Sequence, residues 1–248
     1  MIGGLARTRL RETPEFADAK RRVKNILEKA NLDISKLEEN PLWNQKVSIK
    51  TSLALFCIQC AGPVCFYFIY VHCGNILKNS FNYTPAQIIH QNFLVSIVHV
   101  ASYIIITYLS YYIYPLIILR VKAIIFGIFI LLFPYLLNYS TSGFDILLIQ
   151  SFIVLFRFCD TPAMPIFYRH FPVFKRFTYT SFIYALSRAM MYVLTSFGLI
   201  YLTEFFGHWG MLVIMIPISI GFMFGLNHFE KLDKTEIDFN QKIGLSIA

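Results

Sequence analysis

Between Ile49 and Asn227 the sequence is a succession of apolar runs, each about as long as a bilayer is thick, separated by short polar turns. A helix rises about 1.5 Å per residue and the hydrocarbon core is about 30 Å thick, so roughly twenty apolar residues make one crossing. Repetition of such runs predicts an all-α, polytopic membrane protein rather than one globular core. Composition agrees: mean hydropathy is +0.57 and only 15% of residues are charged, against about 25% in a soluble domain.

Six spans are predicted, over about 49–71, 92–112, 123–137 (or from several residues earlier), 145–168, 178–205 and 209–227. Gly62-Pro63 is expected to kink the first, because an interior proline removes a backbone hydrogen bond. Pro162 and Pro165 fall in the second half of the fourth. Residues 72–90 read as a polar loop containing Asn82-Tyr-Thr-Pro, and Pro115, Arg120 and Lys122 read as a short connector. The chain divides into a polar segment 1–48, a helical bundle 49–228 and a charged tail 229–248. Within the first, Pro14 to Ala30 has helical spacing with Phe16, Val23, Ile26 and Leu27 as its apolar members. It fits a surface helix beside the membrane and a partly disordered tail equally well. The first 25 residues alternate charges and lack the apolar core of a cleavable signal peptide.

The formal charge of +8 follows from topology. Of 22 Lys and Arg, nineteen fall in the N-terminal segment, counted with Lys50 at the mouth of the first span, the two even-numbered loops and the C-terminal tail, and only Lys78 in the odd-numbered loops. Basic residues stay on the cytoplasmic side, so both termini are expected there and nucleic acid is not an expected partner. Cys57-x-x-Cys60 has metal-like spacing but no partnering pair, and reads as small apolar filler. No Ser-His-Asp, HExxH, Walker or dinucleotide pattern has a supporting context, so the sequence carries no enzyme signature and calls for no metal or cofactor.

The two remaining basic residues, Arg157 and Arg188, lie inside apparent spans together with Asp160. A charge at bilayer depth costs roughly 2.5 to more than 10 kcal/mol unless paired or wetted. If both helices are continuous, Asp160 lies about 15 Å above the turn at His170, and Arg188 about 15 Å above Thr178. That places an Asp160–Arg188 pair near the midplane, joined by Arg157 one turn away at i,i+3. Three readings stay open: a structural cluster that ties spans four and five, a cavity-lining site that binds a carboxylate or couples a proton, and charges stranded in a decaying sequence.

Two segments carry a family resemblance. Ala6-Arg-Thr-Arg-Leu-Arg-Glu-Thr-Pro-Glu-Phe16 resembles the Arg-Glu-(Ser/Thr)-Pro-x-Phe run that follows the sixth helix in metabolite:proton symporters of the major facilitator superfamily, especially proline/betaine-type transporters. Phe171-Pro172-Val-Phe-Lys175-Arg176-Phe-Thr178 is similar to that family's Phe-Pro-Thr-x-x-Arg-Tyr-(Ser/Thr) segment between helices ten and eleven. The resemblance implies the C-terminal half of such a transporter: six helices as two inverted three-helix repeats, about 49–137 and 145–227, in a bacterial inner membrane. It implies proton-coupled movement of a small zwitterionic solute, spans one and four lining the cavity and spans three and six facing lipid. On that frame Arg157, Asp160 and Arg188 become candidates for the substrate or proton path, with Gln59, Tyr67, Gln150 and Tyr184 as further cavity residues. A betaine-like cation would want a cage of rings, for which Tyr67, Tyr70, Tyr184 and Tyr192 are available. The lipid bilayer is the expected environment, and a separate N-terminal half or a second copy would complete the path. Alone the chain is expected not to transport.

Departures from the family pattern point to a membrane scaffold or a remnant instead. Ser110 to Lys122 lacks the acid and glycines of the family's gating motif, and His170 stands where an acid often precedes Phe-Pro. Only 12 glycines accompany 25 Phe and 15 Tyr, although mobile membrane helices usually pack through small residues.

Overall fold

The structure is a computed structural model that describes residues 17–18, 20–22, 24–25 and 45–247, with side chains placed to Thr235 in the last helix. Phe16, Val23, Ile26 and Leu27, the apolar members expected on a surface helix, lie outside the described residues. No strand occurs among the described residues. Four helical runs are long and apolar enough to cross a membrane: Ile49–Ser80, Pro85–Leu109, Pro115–Asn138 and Val173–Thr235. The chain is therefore a multi-pass α-helical membrane protein.

Helix α1 (Ile49–Phe66) starts at Ser48, whose hydroxyl accepts from the Thr51 N–H at 3.5 Å. It continues through Pro63, widens into a π-helical turn at Tyr67–His72 and resumes as α2 (Cys73–Ser80). The expected polar loop 72–90 is thus mostly helix, and only 81–84 leave it. Thr84 and Gln87 form a reciprocal capping box that, with Pro85 in the first turn, starts α3 (Pro85–Leu109).

Helix α4 (Pro115–Asn138) begins at its proline, so Arg120 and Lys122, expected in a connector, are helical. A second capping box, Ser142 with Asp145, starts α5 (Gly143–Phe156). That helix stops well before the expected end of the fourth span and is followed by α6 (Met164–Arg169). Beyond it, α7 (Val173–Val193) passes through a π-helical segment, Leu194–Gly198, into α8 (Leu199–Phe206).

Gly207, at φ 57°, then turns the chain into α9 (Gly210–Ile247). The run Val173–Thr235 is consequently a hairpin. Gly210 sits so close to Leu202 that a Cβ there would lie 2.2 Å from its carbonyl oxygen, and Gly198 faces Ile214. Only glycine allows both the positive φ at 207 and the approach at 210.

Helix α1 is the central post, packed against α7 and α9; α9 also packs on α4, and α5 on α3 and α4. The Phe158 ring links the middle of the bundle, meeting Phe126 edge-on and stacking on Phe222, with centroids 4.9 and 4.7 Å apart. Helices α4 and α9 each leave one face open through residues such as Ile124, Ile128, Ile216 and Ile220. Helices α3 and α7 are open as well, through Phe93, Ile97, Ile104, Phe182 and Val193.

The helix ends gather into two sets of contacts. At one, Thr51 meets His228 at 3.1 Å, Arg120 pairs with Glu230 at 2.6 Å, and Asp233 accepts from Tyr114 and forms an ion pair with Arg169. At the other, His72 packs edge-on against His208, Tyr135 against Trp209, and Tyr83 against Gly143.

Candidate functional site

The expected fourth span is broken where its charges lie. Arg157 caps α5 with φ −49° and ψ 154°, outside the helical region, and residues 157–163 are non-helical with a cis Thr161-Pro162 bond. Non-helical backbone at membrane depth is tolerated only where protein buries it or where it lines a cavity. Both conditions are met here. Phe158, 1% exposed, inserts between Phe126 of α4 and Phe222 of α9 and pins the break to the core. The Cys159 thiol donates to the Thr161 carbonyl at 3.1 Å. On the other side Arg157, Cys159 and Asp160 line a cavity of about 200 Å³. That is smaller than the roughly 300–1,000 Å³ of drug-sized ligand sites, and suits a small metabolite.

The rest of the wall comes from three helices. Helix α1 supplies Gln59, Gly62 and Phe66, and its π-helical turn Tyr70; α3 supplies His99 and Tyr103; α7 supplies Arg188 and Tyr192. Pro63 has no N–H to offer the Gln59 carbonyl, which leaves a backbone acceptor on this stretch of α1. Gly62 leaves room for Arg188: a Cβ there would meet the guanidinium nitrogens at 3.8 and 3.9 Å.

The expected Asp160–Arg188 pair is not made. Asp160 accepts from Gln59 Nε2 at 2.9 Å, whereas the Arg188 guanidinium lies over the Tyr184 ring, 4.2 Å from its centroid, with its Nε buried and unpartnered. Nor does Arg157 join Asp160 at i,i+3. That spacing needs continuous helix, and the chain unwinds between them. Arg157 reaches α3 instead, donating to Tyr103 Oη at 2.9 Å and bonding His99 Nε2 at 2.9 Å. An arginine has donors only, so His99 accepts through a bare Nε2. The His99 and Tyr103 rings stack, with centroids 4.8 Å apart, which fixes both acceptors.

Of the expected cavity residues, Arg157, Asp160, Arg188 and Gln59 line one pocket, whereas Tyr67, Gln150 and Tyr184 are not in its wall. Tyr67 packs against the core, and Tyr184 supports Arg188 from α7. Gln150 is fully buried elsewhere: it accepts from Gln91 Nε2 at 2.9 Å and donates to the Ile69 carbonyl at 2.6 Å and Asn92 Oδ1 at 3.4 Å. It serves the π-helical turn, whose widening alters the ordinary backbone pairing. Gln150→Leu leaves the Gln91 donor and the Ile69 carbonyl without that partner. It is expected to lower stability by about 2 kcal/mol in reversible unfolding in mixed micelles, with the pocket's ligand affinity unchanged.

His99, Tyr103 and Lys122 were not among the expected site residues. The signal for the first two was a polar stripe on an apolar helix: Asn92, Ser96, His99 and Tyr103 recur at helical spacing along α3. Lys122 is 8% exposed and donates to Cys159 Sγ at 3.5 Å, directly behind the pocket wall. No family model, curated protein or solved structure matches this chain.

Proposed function

We propose that residues 49–235 form one six-pass half of a facilitator-type secondary transporter, and that the pocket is its share of the solute path. The observation that carries this reading is the interrupted helix at 157–163, which brings Arg157 and Asp160 into a cavity shared with Arg188. Interrupted helices at mid-depth are a recurring way to expose charge to a transported solute without exposing it to lipid.

The packing pattern supports the inverted-repeat element of the reading. If α1, α3 and α4 make one repeat, and α5–α6, α7–α8 and α9 the other, the contacts exchange in pairs. The α1–α7 contact answers α5–α3, and α1–α9 answers α5–α4. The two sets of end contacts fit six passes, and the basic one marks the cytoplasmic face on the positive-inside rule. Proton coupling and a small solute bearing a carboxylate, zwitterionic by resemblance, complete the proposal. The facing half is a separate six-pass chain or a second copy.

Expressed alone in cells that lack proline and betaine uptake, the chain is expected to give no proton-dependent accumulation above the empty vector. Co-expression with a six-pass N-terminal half should restore it, and Arg157→Gln should abolish what is restored. Uptake by the chain alone overturns the half-transporter reading. Failure with every facing half favours the scaffold reading, to which the altered Ser110–Lys122 segment points.

A further inference from the structure

We infer that the pocket selects a solute carrying two anionic groups over the zwitterion that the resemblance implies, because its surroundings hold two positive charges that no protein acid answers. This rests on the proposal that the pocket is a solute site and names the charge of what it takes. Arg157, Arg188 and Lys122 bring three cations to the site, and none makes an ion pair among the described residues. Arg157 is held by neutral His99 and Tyr103, Arg188 by an aromatic ring, and Lys122 by a thiol.

Asp160 is the sole carboxylate in the pocket wall. The other acids between residues 49 and 235 are all committed elsewhere. Asp145 caps α5, Glu230 and Asp233 pair with Arg120 and Arg169, and Glu204 is exposed beside the Gly207 reversal. Three cations against one carboxylate leave an excess of two.

Lys122 supplies the second unanswered charge. Arg157 and Arg188 against Asp160 leave an excess of one, which a single carboxylate would answer. Lys122 stands behind the wall, one hydrogen bond from Cys159, within electrostatic reach of His99. A buried lysine with a thiol for a partner is costly at this depth unless an anion is close. At an effective dielectric of about 20, a unit charge about 10 Å away changes the binding of another roughly tenfold. The same chemistry comes from a free dicarboxylate or from the phosphates of an anionic lipid.

The test is equilibrium binding to the full chain in phosphatidylcholine nanodiscs, with radiolabelled succinate, proline and glycine betaine as probes. Succinate is expected to bind at least about tenfold tighter than either zwitterion. Lys122→Met should weaken succinate about tenfold and leave proline within about twofold, whereas Asp160→Asn should tighten succinate about tenfold. The asparagine keeps an acceptor for Gln59, and misfolding cannot produce a gain, so the opposite signs hold the test against structural damage.

Equal or tighter binding of proline or betaine, shifts of the same sign in the two variants, or no binding of any probe each overturns the inference. Loss of succinate binding in discs that contain cardiolipin, with the variant signs kept, assigns the site to lipid phosphates. Binding with these signs but no uptake alongside any facing half sinks the transport reading alone. Restored proline uptake that excess succinate does not inhibit sinks this inference alone.

Discussion

Replacing Asp233 with alanine is expected to destabilise the protein by about 3 kcal/mol. Asp233 is 2% exposed at the basic end of α9, accepts a hydrogen bond from Tyr114, at the start of α4, and forms an ion pair with Arg169, at the end of α6. Its removal leaves two donors aimed at a buried gap. Arg169 is itself 39% exposed, and water recovers part of its charge, which holds the estimate at the low end for a broken buried pair. Tyr114→Phe removes one neutral donor and keeps the ion pair, so it should cost only about 1 kcal/mol. Titration with a denaturing detergent, followed by helical circular dichroism, reads both. An alanine variant as stable as the parent would show that these ends are not tied through Asp233.

The second large effect lies where α1 and α9 cross. A Cβ on Gly225 would stand 2.6 Å from the Ala54 carbonyl oxygen and 2.7 Å from Ile58 Cγ1. The oxygen belongs to the backbone of the central helix and cannot turn aside. Gly225→Ala is therefore expected to lose about 1–2 kcal/mol, overpacking outweighing the gain in helix propensity, and Gly225→Leu to abolish the monodisperse fold. Gly221 lies one turn away on the same helix, yet a Cβ there would meet only Cys57 at 3.5 Å, an ordinary contact. Gly221→Ala should be neutral or stabilising by up to about 1 kcal/mol. Size-exclusion profiles and thermal unfolding of the three variants check the contrast. A monodisperse, folded Gly225→Leu protein would mean that α1 and α9 do not cross this closely.

Helix positions were legible from hydropathy because lipid demands long apolar runs, and the reversal at Gly207-His208 was legible because glycine there breaks one. What failed was continuity. Counting 1.5 Å per residue through Arg157 and Asp160 presumed a helix that Pro162 and Pro165 argue against, and the projected ion pair followed from that ruler. Pro115, Arg120 and Lys122 read as a connector, whereas α4 starts at Pro115 and carries the lysine inward. His99 carries no distinguishing signal in the sequence, since only its partner across the cavity, Arg157, gives it a role. Hydropathy registers how greasy a position is, and it is blind to which neighbour the fold brings opposite.

The π-helical turn at Tyr67–His72 has an angular consequence. An α-helix advances about 100° per residue, and a π turn holds an extra residue, so it sets the azimuth of everything beyond it. Beyond it, α2 keeps Cys73, Ile76 and Leu77 inside and Asn75, Lys78 and Asn79 outside. Deleting one residue from the turn would swing that outer end by about 100° and carry the polar set toward the core. The turn works as a clutch within one crossing. It lets Gln59 and Tyr70 face the cavity while α2 is phased independently onto the bundle, so the aim of the site and the seal of the outer end can change without each other.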